Sequence, residues 1–127
     1  MRLLLDTCAL IWWADDPNRL PSRVHEAITN PTNEVAVNIV SLWEIGLKTA
    51  LGKLPLKSDV LALIQRTQSD SIAITPIPIT APFIVSQLPF HHIDPFDRML
   101  AAISQLEDYV LVTPDTIFDK YGVTRLW

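Results

Sequence analysis

Four acidic residues stand at places where their type and spacing could do chemistry: Asp6, Glu44, Asp97 and Asp115. Taken singly, three of them have a plain structural reading. Ser41-Leu42-Trp43-Glu44 fits a capping box, with Glu44 reaching back to the Ser41 N–H. Asp94-Pro95-Phe96-Asp97 has an N-cap Asp, a Pro at the first helical position and an acid at the third. Thr113-Pro114-Asp115 repeats the Pro arrangement. Asp6 has no capping explanation as clear. It ends the apolar run Leu3-Leu4-Leu5, where an unpaired charge is costly. Brought to one place, the four repel. Two charges about 4 Å apart cost on the order of 4 kcal/mol at an effective dielectric near 20. Such a cluster takes up either protons or a cation. All-oxygen ligation points to Mg²⁺ or Mn²⁺, because there is no Cys/His set with zinc spacing. An ion of that kind can activate water and stabilise charge on a phosphoryl oxygen, so the chemistry expected is cutting of a phosphodiester.

The elements that must position these acids are legible from periodicity and breakers. Arg2–Leu5 reads as a short buried strand, followed by a helical turn or two over Thr7–Ala14. Asp15-Asp16-Pro17-Asn18 is a loop. Pro21–Asn30 reads as a helix with Val24, Ala27 and Ile28 on one face. Glu34–Asn38 is a valine-bearing strand, and Ser41–Leu51 a helix closed by Gly52. Ser58–Gln68 is a helix capped by Ser58. Ser71–Thr75 is a strand and Thr80–Gln87 a short helix. Asp94-Pro95 opens a helix running to about Glu107. Tyr109–Thr113 is a strand, Thr113-Pro114 opens a helical turn through Phe118, and Val123–Leu126 is a last strand. Short apolar strands alternating with helices imply an α/β fold with a mainly parallel sheet covered on both faces. Ligands of such sheets bind at the carboxyl ends of the strands. That edge is where Asp6, Glu44, Asp97 and Asp115 are expected to meet. The helix starts that carry them are positive and help keep the acids ionised.

Composition bounds the rest. The 127 residues are about the size of one domain, spanning 1–127, and 49% are hydrophobic, enough for a core. Mean hydropathy is +0.25, so either the core is large or a partner covers an apolar face. The net charge of −4 argues against a general nucleic-acid-binding module but not against a nuclease, whose carboxylates count as negative until a metal arrives. Asp6 ends the first apolar run too early for a signal peptide, and Val35–Val40 is too short to span a bilayer. Cys8 is the only cysteine, so no internal disulfide forms, and a reducing cytoplasm fits.

Leu4-Leu5-Asp6-Thr7, Ser41-Leu42-Trp43-Glu44-Ile45, His91-His92-Ile93-Asp94-Pro95-Phe96-Asp97-Arg98, Val112-Thr113-Pro114-Asp115 and the ending Tyr121-Gly122-Val123 with Leu126-Trp127 resemble a PIN domain. More narrowly they resemble the VapC-type toxins of bacterial type II toxin–antitoxin systems. The resemblance covers essentially the whole chain, and its most specific piece is the H-x-D-P-F-D-R segment. It implies a Mg²⁺/Mn²⁺-dependent endoribonuclease with a three-layer α/β/α sandwich, an RNA substrate, an antitoxin partner and a homodimer. It carries metal-site roles onto Asp6, Glu44, Asp97 and Asp115, with Asp6 and Asp97 as direct ligands and Glu44 and Asp115 binding through water or orienting the nucleophile. Cys8 departs from the His, Asn or Ser common after the Asp-Thr pair, and no chemistry is assigned to it.

The neighbours divide between supporting and structural readings. Thr7 either orients water at the metal or starts a helix. Asp94 is expected to support as an N-cap rather than to ligate. Arg98 either meets a phosphate or pairs with Asp94. Lys48 either pairs with Glu44, four residues earlier, or contacts a substrate phosphate. His91 and His92 read as solvated loop histidines. Adjacent Trp12 and Trp13 cannot both face inward from one helix, so at least one is expected to meet a partner. Two rivals to a nuclease remain. One is a catalytically idle module that only binds protein. The other is a phospho-acceptor, which would want a second Asp two residues after the first, where Cys8 stands.

Overall fold

A computed structural model describes residues 1–127. The chain runs β1 (Arg2–Leu5), α1 (Thr7–Asp15), a 3-10 turn (Pro17–Arg19), α2 (Ser22–Thr29), β2 (Glu34–Asn38), α3 (Ile39–Ala50), α4 (Val60–Ser69), β3 (Ala73–Thr75), α5 (Ala81–Gln87), α6 (Pro95–Leu106), β4 (Val110–Val112), a 3-10 segment (Thr116–Tyr121) and β5 (Arg125–Leu126). The five strands form one sheet, order β3-β2-β1-β4-β5, with every pairing parallel. β1 is central, with Leu5 opposite Val37 on one side and Val112 on the other. Its side chains alternate between faces, as a strand must. Leu3 and Leu5 join a core with Leu10, Val24, Ile45 and Leu63 of the helices on one face. Leu4 joins the other, with Leu100, Ile103 and Phe118. The result is the expected α/β/α sandwich.

Several helix starts differ from the sequence reading, and each has a local cause. α3 begins at Ile39 because buried Asn38 caps it, its Oδ1 accepting the Val40 N–H at 3.0 Å while its amide donates to the Pro76 carbonyl. The Ser41–Glu44 capping box therefore does not form. Ser41 is inside the helix with an unpartnered hydroxyl. α4 is capped by Asp59, not Ser58, through the Ala62 N–H. The Thr113-Pro114 start is also displaced: Asp115 is itself the cap, accepting the Ile117 N–H. α3 ends as read, with Gly52 at φ +69 and the Lys53 N–H returning to the Lys48 carbonyl.

Trp12 and Trp13 both find partners within the chain. Trp12 packs against Trp127, with the Arg19 guanidinium over its ring. Trp13 lies against His25 and donates its indole N–H to Asp70. The uncovered tryptophan is Trp43, 63% exposed. It belongs to a row along α3 with Ile39, Leu47 and Leu51, all exposed and four residues apart. No helix is long and apolar enough to cross a membrane.

Candidate functional site

The carboxyl edge of the sheet opens into a groove of about 350 Å³ whose walls include Asp6, Glu44, Asp97 and Asp115. Each acid arrives by a different local device. The Asp6 N–H continues the ladder to the Val112 carbonyl at 3.1 Å, which fixes it just past the end of β1. It is also the N-cap of α1, its Oδ1 accepting the Ala9 N–H at 2.7 Å. The capping role that the sequence did not suggest is therefore real, and it holds a 6%-exposed carboxylate at the groove floor. Glu44 stands in the second turn of α3. Thr7 donates its hydroxyl to Glu44 Oε1 at 2.5 Å, and Lys48 pairs with Oε2. Asp97 stands at the third position of α6, under the cap that Asp94 makes to the Phe96 and Asp97 N–H groups. Asp115 enters from the loop after β4.

Burial dominates the electrostatics. Desolvation pushes the Asp6 carboxyl up to about 6, against the Thr113 hydroxyl and the Ala9 N–H, which pull it down. Desolvation, helped by the neighbouring Asp94 charge, pushes Asp97 up to about 7. The helix starts thus hold the acids in place without keeping these two freely ionised. Lys48 is raised by its hydrogen bond to Glu44. Cys8, on the same wall, is pushed up to about 12 by burial and by Asp6, so its thiol is inert at neutral pH.

Two residues need a different account from the one the sequence suggested. Arg98 meets neither a phosphate nor Asp94. Its side chain turns away from the groove, 5% exposed. There it donates to the carbonyls of Val85 and Pro89, each at 2.9 Å, and Leu88 at 3.2 Å. The carbonyls at the end of α5 draw it there. His92, by contrast, is at the groove, its Nε2 2.9 Å from Asp97 Oδ2 and 3.5 Å from Asp115 Oδ2. Its place five residues before Asp97, just ahead of a helix cap, was the available signal.

The donor set fits a divalent cation. It is made of hard oxygens, and two of them carry raised proton affinity because negative charge is concentrated in a partly dry groove.

Comparison with known proteins agrees with this fold. The PIN domain model matches residues 3–123. The curated Ribonuclease VapC22 of Mycobacterium tuberculosis is 30% identical over 116 residues, which is 89% of this chain and 86% of that protein. Among solved structures, VapBC2 from Rickettsia felis bound to a DNA fragment from its promoter superposes with a TM-score of 0.71 at 18% identity, covering 99% of this chain and 98% of that one. DNA-bound VapBC from Salmonella typhimurium gives 0.72 at 18%, covering 99% and 97%. The fold is thus shared along essentially the whole chain, and the chain belongs to the PIN domain family.

Proposed function

We propose that residues 1–127 form a single-domain, metal-dependent endoribonuclease, the cytoplasmic toxin of a type II toxin–antitoxin pair. The observation that carries this is the convergence of Asp6, Glu44, Asp97 and Asp115, from four separate segments, on one groove. The likeness to Ribonuclease VapC22 supports RNA as the substrate. Mg²⁺ or Mn²⁺ is the cation suited to these oxygens. Asp6 and Asp97 would hold it directly, with Glu44 and Asp115 beside them. When bound, the ion supplies Lewis-acid activation of water and charge stabilisation on the phosphoryl oxygen.

The chain's own residues do the rest. Thr7 and Lys48 each fix one of the two oxygens of Glu44. Lys48 is also the ammonium on the groove wall, placed to meet substrate phosphate. Ile11, Trp12 and Leu54 give the groove an apolar side. Likeness to the VapBC assemblies supports a cognate antitoxin as partner. The uncovered α3 row of Ile39, Trp43, Leu47 and Leu51 supports a protein contact there, and a homodimer is part of the same reading.

The direct test is cleavage of RNA with Mg²⁺ or Mn²⁺ by the wild type, Asp97→Asn and Glu44→Gln. Asp97→Asn is expected to lose more than about a hundredfold, beyond what outer partners of a metal usually cost. Undiminished cleavage by both variants would sink the site.

Cation binding should also expel protons. Asp97 titrates near 7 and Asp6 near 6, so an ion arriving at pH 6 displaces protons that are largely absent at pH 8. Mn²⁺ affinity is expected to be about tenfold or more weaker at pH 6 than at pH 8. Calorimetry in two buffers of different ionisation enthalpy reads the protons released. Equal affinity at both pH values, with no proton release, would contradict the raised proton affinity of this pair.

A further inference from the structure

The loop joining α5 to α6 carries two histidines with different surroundings. His91 packs edge-on against Tyr121. His92 reaches Asp97 and Asp115 through Nε2. The three side chains offer atoms within 4.8 Å of one another, which invites reading His92 as a metal ligand. Its other nitrogen argues otherwise. Nδ1 accepts the Asp94 backbone N–H at 3.1 Å. A neutral imidazole has one donor and one acceptor nitrogen. With Nδ1 engaged as acceptor, the hydrogen-bond partners assign the proton to Nε2, which faces Asp97 Oδ2 at 2.9 Å and has no lone pair to offer a cation.

The ring is also held from behind. The His92 N–H donates to the Tyr121 hydroxyl at 2.9 Å, and that hydroxyl donates to the Pro89 carbonyl at 2.8 Å. Arg98 grips the same carbonyl. Asp94 works twice: its side chain caps α6 under Asp97, and its backbone N–H sets the His92 ring. Imidazole and carboxylate are therefore referenced to one helix start.

We propose that His92 is a positioning residue for Asp97: its protonated Nε2, 2.9 Å from Oδ2, holds that oxygen and leaves the second oxygen of the carboxylate for the cation. A donor of this kind orients a metal-binding carboxylate and sharpens its affinity. The inference rests on the metal-dependent reading of the groove.

The test is Mn²⁺ calorimetry on the full chain with two complementary variants. His92→Asn keeps an acceptor where Nδ1 stands, and so keeps the Asp94 N–H bonded, but it removes the Nε2 donor. His92→Gln places an amide N–H near the Nε2 position and gives up the Nδ1 acceptor. His92→Asn is expected to bind Mn²⁺ about ten- to a hundredfold more weakly while melting like the wild type in EDTA. His92→Gln is expected to recover most of that loss. Wild-type affinity in His92→Asn, or equal weakness in both variants, would overturn the positioning role. So would a strongly coupled imidazole nitrogen in the pulsed electron paramagnetic resonance of the wild-type Mn²⁺ form, which would make His92 a ligand. A wild type that binds Mn²⁺, loses it in His92→Asn and yet cleaves no RNA would remove the ribonuclease reading alone. A wild type that binds no Mn²⁺ would remove both.

Discussion

Asp6→Asn should abolish RNA cleavage and at the same time make the metal-free protein more stable at pH 8. The carboxyl is pushed from its ordinary 3.8 to about 6, mostly by burial. That rise corresponds to roughly 3 kcal/mol held against the folded state when the group is ionised. The sign follows from the direction. An acid raised on folding contributes stability that is fully present below about pH 4 and is lost as pH rises through about 6. Asparagine keeps an oxygen for the Ala9 N–H and carries no charge. The two proteins should therefore melt alike near pH 4 and diverge by roughly 2–3 kcal/mol at pH 8 in EDTA, several degrees in Tm. Saturating Mn²⁺ should reverse the order, because only the wild type gains the binding energy. Melting curves across pH 4–8, with EDTA and then with Mn²⁺, decide it. An Asp6→Asn protein less stable than the wild type at pH 8 in EDTA would show that this carboxylate is held by the fold rather than against it.

Arg98→Met should cost on the order of 3–5 kcal/mol without touching the groove. The guanidinium is buried with no carboxylate beside it. Its partners are the carbonyls of Val85, Leu88 and Pro89, which belong to the end of α5 and the loop that follows. Methionine fills the volume and leaves those oxygens unpaired. Arg98→Lys should recover less than half of the loss, because a single ammonium cannot span carbonyls that the planar fork reaches from both nitrogens. Urea unfolding of the wild type and both variants measures the difference. A loss below about 1 kcal/mol for Arg98→Met would mean that water replaces the guanidinium, and that the carbonyl cage is not what holds the loop. Because the same loop carries His92 and Asp94, cleavage by Arg98→Met should fall as well, even at temperatures where the protein stays folded.

The sheet and the four acids were readable from the chain because they depend on local signals. Leu3-Leu4-Leu5 and Glu34–Asn38 announce buried strands, and Pro95 and Gly52 mark helix ends by their fixed backbone needs. Helix caps were less readable. Asn38 caps α3 in place of Ser41 because its amide also reaches the Pro76 carbonyl, a contact made across the sheet. Asp6 looked like an unexplained charge because it ends an apolar run, although a helix starting at Thr7 already puts it in the cap position, where its Oδ1 accepts the Ala9 N–H. Arg98 was ambiguous for the opposite reason: its nearest neighbours in sequence are acids, while its carbonyl partners lie nine to thirteen residues back. His92 was read as a solvated loop residue because its one sign, the place five residues before Asp97, does not say which way the ring turns.

The strand order has a temporal meaning. β1 lies between β2 and β4, so Asp115 reaches Asp6 only after β4 has seated on the far side of the first strand from β2. A growing chain that has laid down β1, β2 and β3 already holds Asp6 and Glu44, yet lacks Asp97 and Asp115. Domains assemble from the amino end as they are made. On the proposed nuclease reading, the acid cluster stays incomplete through most of the chain's own synthesis and closes only when the chain is almost finished.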